Sequence, residues 1–271
     1  MLGNMHRIPL VLSPPLLLGV ALASTGCGEH VPLGAISTDG GALALLWKAT
    51  FEPGDLSEWT AGGAGGSLLQ APKLVPTVTT DEAHAGHFAG KLTVAPVTNM
   101  LYTNYLFRNA PSPREGYYSA WFYIPSTFTV KTWLSLMHFN CSTTGDGRNV
   151  YARWDLNIYN SPTLGALVAH VYDYVNVVNQ EQAVPIPVPR DTWVHFEVLL
   201  AKAATAVGRV AVWQDNVPIL DKPNVVTAPN DWVQWNVGMA VDGVDPSPAF
   251  LYLDDAAISV SRLGSAALPW P

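Results

Sequence analysis

Charge is what this chain has least of: Asp, Glu, Lys and Arg together make up 13% of its 271 residues. Only 14 residues are Lys or Arg against 21 Asp or Glu, a formal net charge of −7. A surface so poor in cations does not suit a phosphate backbone, so no nucleic-acid partner is expected. Cysteine is scarcer still, with Cys27 and Cys141 alone. That excludes a disulfide-stapled scaffold, and Cys141 reads as a small buried residue, because nothing around it marks a catalytic thiol. The sequence has no Gly-x-Ser-x-Gly elbow and no His-Glu-x-x-His pair, so esterase and zinc-protease chemistry lack support. Nor is there a Glu-x-Asp-x-x-Glu arrangement: "WDLNIYN" and "HFEVLL" hold one acid each, which disfavours a retaining glycoside hydrolase. Long helical periods and internal repeats are missing too.

Breakers and aromatics take their place. The chain has 22 Gly, 22 Pro, 10 Trp and 10 Tyr, and 49% of it is hydrophobic. Short alternating runs such as "GKLTVAPV", "GYYSAWFYIP", "TWLSLMHFN", "ALVAHVYDYVNVV", "TWVHFEVLLA" and "VQWNVGMAVD" are separated by turn signals such as "APSPREG" and "VPIPVPRD". This pattern predicts an all-β fold, a two-sheet antiparallel sandwich forming a single domain over residues 44–271. "WVHFEVLL" sets Val194, Phe196, Val198 and Leu200 on one parity, and "GRVAVWQDN" turns at Asp215 and Asn216.

The first 26 residues read as an export signal. His6 and Arg7 precede the apolar run "IPLVLSPPLLLGVALA", broken by Pro14 and Pro15 and short for a membrane span, and small residues lead to Cys27. A lipoprotein signal with Cys27 acylated is expected, although Ser24 stands where such signals usually carry Leu. A plain secretory signal and an uncleaved anchor are the alternatives. Residues 27–43 read as a tether, and Gly28 after the Cys matches lipoproteins free to reach an outer membrane. The expected location is therefore the bacterial cell envelope, with a membrane anchor at Cys27.

Chemistry concentrates in "NVYARWDLNIYN". Val150, Ala152, Trp154, Leu156 and Ile158 fall on one parity, and Tyr151, Arg153, Asp155, Asn157 and Tyr159 on the other. A period of two is a strand with one face buried, and the second face carries more chemistry than solubility needs. The following run offers His170, Tyr172, Tyr174 and Asn176 on one parity, and the preceding one Leu134, Leu136, His138 and Asn140. If these strands are neighbours with those faces together, they make a polar aromatic floor. The alternative is ordinary wet surface, with Arg153 and Asp155 forming a salt bridge. Trp154 has core parity, and Trp133 is a spare aromatic beside the sheet.

The order "FEPGDLSEWT", "TDEAHAGHFAGKLTV", "GYYSAWFYIP", "DTWVHFEVLL", "GRVAVWQDNVPIL" and "LYLDDAAIS" resembles the concanavalin-A-like jelly rolls. Within them it is most similar to the polysaccharide-lyase-like domains related to glucuronan lyase and to a fungal cellulase-induced secreted protein. The resemblance spans about residues 47–263. It implies a concave sheet that cradles a polysaccharide, no organic cofactor, and often a structural calcium at the sandwich edge. Fold alone does not settle whether such a member cleaves its glycan or only binds it.

Elimination at a uronic acid needs a cation or amide to neutralise the carboxylate, a base for the adjacent proton and an acid for the leaving oxygen. Arg153 or Asn157 would neutralise; His138 or His170 would be the base; Tyr172, Tyr159 or Tyr151 would be the acid. Binding alone would use Tyr151, Arg153, Asp155, Asn157, Tyr159 and Tyr174, with rings stacking on sugars and polar groups meeting hydroxyls. Binding is favoured, because Asp155 repels a polyuronate unless Arg153 pairs with it. A structural envelope protein with a protein partner is a third reading, and a monomer is expected. Glu52 and Asp254, on strands expected to be neighbours, are the calcium candidates, with Glu52 and Asp55 ending a strand as the simpler account. Asp242 and Asp245 in "VDGVDPSP" form another acidic loop, read as a turn.

Overall fold

The computed structural model describes residues 45–69, 74–95 and 101–265. The signal, the tether and Cys27 lie outside the described residues. Among the described residues seventeen strands, numbered along the chain, account for nearly all regular structure, with one four-residue helix at Ser57–Thr60.

The first sheet runs in the order β14 (Val217–Val225), β13 (Gly208–Gln214), β12 (Trp193–Ala201), β6 (Glu115–Tyr123), β17 (Ala249–Ser259), β4 (Ala89–Val94) and β3 (Thr77–Thr79). β1 (Leu45–Ala49) also pairs with β17. The second sheet runs β11 (Val178–Gln180), β10 (Ala166–Asp173), β9 (Val150–Ser161), β8 (Leu134–Ser142), β15 (Trp232–Val241), β5 (Tyr102–Pro111) and β2 (Gly65–Leu69). A two-strand ribbon joins β7 (Thr129–Val130) to β16 (Val244–Asp245). The pairings within both sheets are antiparallel. This is the jelly-roll sandwich the breaker-rich sequence predicts.

Alternation explains the packing. Val194, Phe196, Val198 and Leu200 of β12 and Val210 and Val212 of β13 face the core from the first sheet. Trp154, Leu156 and Ile158 of β9 and Trp235, Val237, Met239 and Val241 of β15 face it from the second. Burying each such aliphatic side chain is worth about 1.5–3 kcal/mol. At one end, Trp47, Trp59, Trp235 and Tyr118 form an edge-on aromatic cluster, with centroids 4.8 Å apart for Trp47–Trp59 and 5.4 Å for Tyr118–Trp235. Cys141 lies in the core, and burial pushes its thiol up to about 12, so it holds a proton and packs as a small apolar group. The β13–β14 turn at Asp215 and Asn216 has both residues at positive φ (46° and 69°), the geometry of a two-residue hairpin.

Three register breaks shape the second sheet. The β8–β9 register shifts between Ser135 and Met137, and again between Phe139 and Asn140. Phe139 faces Trp154 while Asn140 faces Ala152, which leaves Arg153 as the extra residue of a bulge. Nearby, β15 breaks its register with β8 between Val237 and Ala240. Gly238 sits in that break at φ 141°, and a Cβ there would stand 2.5 Å from the Asn104 carbonyl oxygen, so only glycine fits without movement.

Candidate functional site

Register brings the site together. Asp155 lies opposite His138 on one side and Tyr172 on the other; Asn157 lies opposite Ser135 and His170. These two cross-strand rows on the outer face of the second sheet floor a cavity of about 460 Å³. Its lining comprises Asp155, Asn157, Tyr159, His170, Tyr172 and Tyr174, together with Thr132, Trp133, Asn179 and Glu181. Trp133 and Thr132 reach it from the segment entering β8, and Asn179 comes from β11.

Tyr174 lies in the turn between β10 and β11, a turn built by Asp173. The buried Asp173 carboxylate accepts from the amides of Val175 (2.8 Å) and Asn176 (3.1 Å) and from the Asn176 side chain (2.7 Å). The run "ALVAHVYDYVNVV" is thus a strand, a turn and a return strand rather than one strand, and Asn176 serves the turn.

Asp155, 3% exposed, is the hub of the floor. One of its oxygens meets His138 Nδ1, and the other accepts the Tyr174 hydroxyl at 2.9 Å. His138 Nε2 in turn lies 2.8 Å from Asn140 Oδ1. Burial works against a charge on His138, but Asp155 outweighs it and raises the imidazole pKa. With an acceptor at each nitrogen, the protonated form of His138 is favoured and neither nitrogen is free for the cavity. The same carboxylate, after burial itself, drives the Tyr174 phenol far up, so Tyr174 remains a proton donor.

His170 is the opposite case. Burial lowers its pKa, with Glu181 and Asp155 only partly opposing, so the ring is neutral. Nε2 lies 3.5 Å from Asn157 Nδ2, and Nδ1 is buried without a hydrogen-bond partner in the protein, as is Asn157 Oδ1. Tyr159 packs tilted on the ring at 5.0 Å and donates its hydroxyl to Glu181 at 3.1 Å. Tyr172 stands edge-on to Tyr174 at 4.7 Å. The cavity therefore combines a neutral imidazole, three phenols, an indole and two amides.

Three of the expected residues are not in the lining: His138, which sits behind Asp155, Arg153 and Tyr151. Arg153, as the bulge residue, is outside the lining, and its Nε is buried without a hydrogen-bond partner. Its charge is felt instead by Cys141, whose pKa it lowers against the rise from burial. Arg153 and Asp155 accordingly form no salt bridge; His138 takes the role of counter-ion. Tyr151, beyond the bulge and 55% exposed, also lies off the cavity. Leu134 and Leu136 belong to the core, because the first β8 bulge separates their phase from that of His138. In the other direction, Thr132, Asn179 and Glu181 line the cavity without having been singled out in the sequence. The polar run "NQEQ", just after a turn, is the signal that could have placed two of them.

Glu52 and Asp254 do lie near neighbouring strands, β1 and β17. Their oxygens, however, face amides. Glu52 Oε1 accepts from His87 (2.8 Å) and Phe88 (3.0 Å), and Asp254 accepts from His84 (2.9 Å) and Asp255 (2.8 Å). Burial, with Asp255 alongside, pushes Asp254 up to about 8. N–H groups at these oxygens clasp the loop carrying His84 to Phe88. Among the described residues no three His, Cys, Asp or Glu side chains gather as a metal site. Asp55 accepts from Ser57 N at 2.8 Å in the turn ahead of the short helix, and Asp245 belongs to the β7–β16 ribbon.

Comparison with known proteins agrees with this architecture. The endo-β-1,4-glucuronan lyase of Trichoderma reesei superposes with a TM-score of 0.55 at 15% identity, over 74% of this chain and 92% of that one. The cellulose-induced protein Cip1 gives 0.54 at 16%, over 80% and 98%. An alginate lyase variant solved with an alginate trisaccharide gives 0.56 at 13%, over 80% and 98%. At such identities these likenesses speak to the fold. No curated protein sequence matches the chain. The family model described as polysaccharide lyase, in contrast, matches residues 51–256, and the chain belongs to that family.

Proposed function

We propose that this protein binds a polysaccharide along the outer face of its second sheet, seating one sugar unit in the cavity over Asp155 and Asn157. The observation that carries this reading is the lining itself: Trp133, Tyr159 and Tyr172 offer flat rings, while Asn157, Asn179 and Thr132 offer hydrogen bonds. Rings of this kind stack on the C–H faces of pyranoses, and the polar groups fix which hydroxyls fit. Retention on a panel of immobilised glycans tests it. A folded protein that passes through every column unretarded would end the proposal.

A second reading, β-elimination, is favoured by one specific feature. His170 is neutral, the state a base must have, and Tyr172, two residues further along β10, lies opposite Asp155 of β9. In that reaction His170 would take the proton beside the carboxyl group and Tyr172 would protonate the leaving oxygen, with Asn157 as the amide at the carboxyl. Bond cleavage leaves an unsaturated sugar that absorbs ultraviolet light. Growth of that absorbance with a glycan substrate, abolished in His170→Ala, would make the protein a lyase; retention without absorbance leaves it a binding protein.

Export and anchoring complete the proposal, since Cys27 follows an apolar run and small residues. Cells producing the full chain with a labelled fatty acid are expected to label it and to hold it in the membrane fraction. Cys27→Ala should remove the label and release the protein. Label that persists in the variant would place the acyl group elsewhere.

A further inference from the structure

Resting on the glycan-binding reading, we propose that the cavity takes an uncharged glycosyl unit and discriminates against a free uronate carboxylate. No Lys or Arg is among the residues that line it. The His138 ring beneath its floor is bound to Asp155 at one nitrogen and to Asn140 at the other, so neither nitrogen is free to meet a ligand. Arg153, which the strand pattern would have aimed at the ligand, is carried off by the β9 bulge. Lys131, next in the chain to Thr132, lays its stem against Gly243, where a Cβ would meet its Cδ at 2.8 Å.

The wall adds a charge of the opposite sign. Glu181 is exposed at the rim, holds the Tyr159 hydroxyl, and is close enough to act on His170. A carboxylate entering this space loses hydration, meets only uncharged donors, and approaches a second carboxylate. The hydroxyls and ring oxygens of a neutral sugar incur no such penalty. An exclusion built from an opposing like charge is as much a source of specificity as an attractive contact. A uronate whose carboxyl is esterified is uncharged and would be admitted. Esterification also removes the need for a neutralising cation in any elimination step.

Matched ligands provide the test. Affinities are measured by calorimetry for neutral gluco-, manno- and xylo-oligosaccharides, and for galacturonan, glucuronan and mannuronan oligosaccharides as free acids and as methyl esters. For whichever backbone binds, the ester should bind at least about ten-fold more tightly than the acid at low salt, and added salt should narrow the gap by screening. Glu181→Gln and, separately, Asn179→Lys should each shrink the ester-to-acid ratio several-fold. Acids that bind as tightly as their esters would overturn the charge selection while leaving glycan binding intact. If no oligosaccharide of either kind binds the folded protein, both the selection and the reading beneath it fall.

Discussion

Replacing Asp155 with alanine is expected to lower the unfolding free energy by about 3–5 kcal/mol, the usual consequence of removing one partner of a buried ion pair. The change leaves the buried His138 imidazole without its counter-ion and the Tyr174 hydroxyl without its acceptor. Urea unfolding measures it, and stability within 1 kcal/mol or so of the parent would show that the pair contributes little. The pH dependence carries a sign of its own. The folded-state pKa of His138 is raised above its ordinary value, so folding takes up protons. The contribution is complete below about pH 6.5, where the unfolded imidazole is also charged, and fades as pH climbs through the raised folded value. Asp155→Asn should flatten stability across that window, and an unaltered slope would move the effect to another group.

The second large effect concerns ligand. Trp133→Ala and Tyr172→Ala each remove a ring from the cavity, and each should weaken glycan binding by about 1–1.5 kcal/mol, roughly ten-fold. Neither residue is fully buried, so both variants should remain folded. Combined, they should cost about two orders of magnitude in affinity if the two rings contact separate faces of the ligand. Calorimetry with the best-retained oligosaccharide decides the matter. Wild-type affinity in the double variant would move the binding surface away from this cavity. Tyr172→Phe separates the roles further, since it keeps the ring and removes only the proton that elimination would need.

Much of this was legible in the sequence because alternation is a local property. The phase of Asp155, Asn157 and Tyr159 against Trp154, Leu156 and Ile158 holds in the structure, and so does the phase of His170 and Tyr172. What alternation cannot show is where it is interrupted. One extra residue at Arg153 reverses the facing of everything before it, and the sequence around it, "VYARWD", has no Gly or Pro to announce the break. The electrostatics follow from that single residue. With Arg153 displaced, the counter-ion of Asp155 comes from a different strand. Asn179 and Glu181 were hidden for another reason: Asn179 belongs to a three-residue strand, too short to show any period, and Glu181 directly follows it. Glu52 and Asp254 were placed correctly in space, but the direction of their oxygens depends on the amides of the loop from His84 to Phe88, which no side-chain pattern encodes.

The bare atoms on the cavity floor have one more consequence. His170 Nδ1 and Asn157 Oδ1 enter the folded state with no protein group to satisfy them. Both atoms are already shielded from water, so a ligand hydroxyl that draws either into a hydrogen bond would relieve it, whereas a deoxy analogue would leave both wanting. Pockets of this kind tolerate an added methyl group more readily than a missing oxygen. The protein should therefore tell epimers and deoxy sugars apart more sharply than it tells long chains from short.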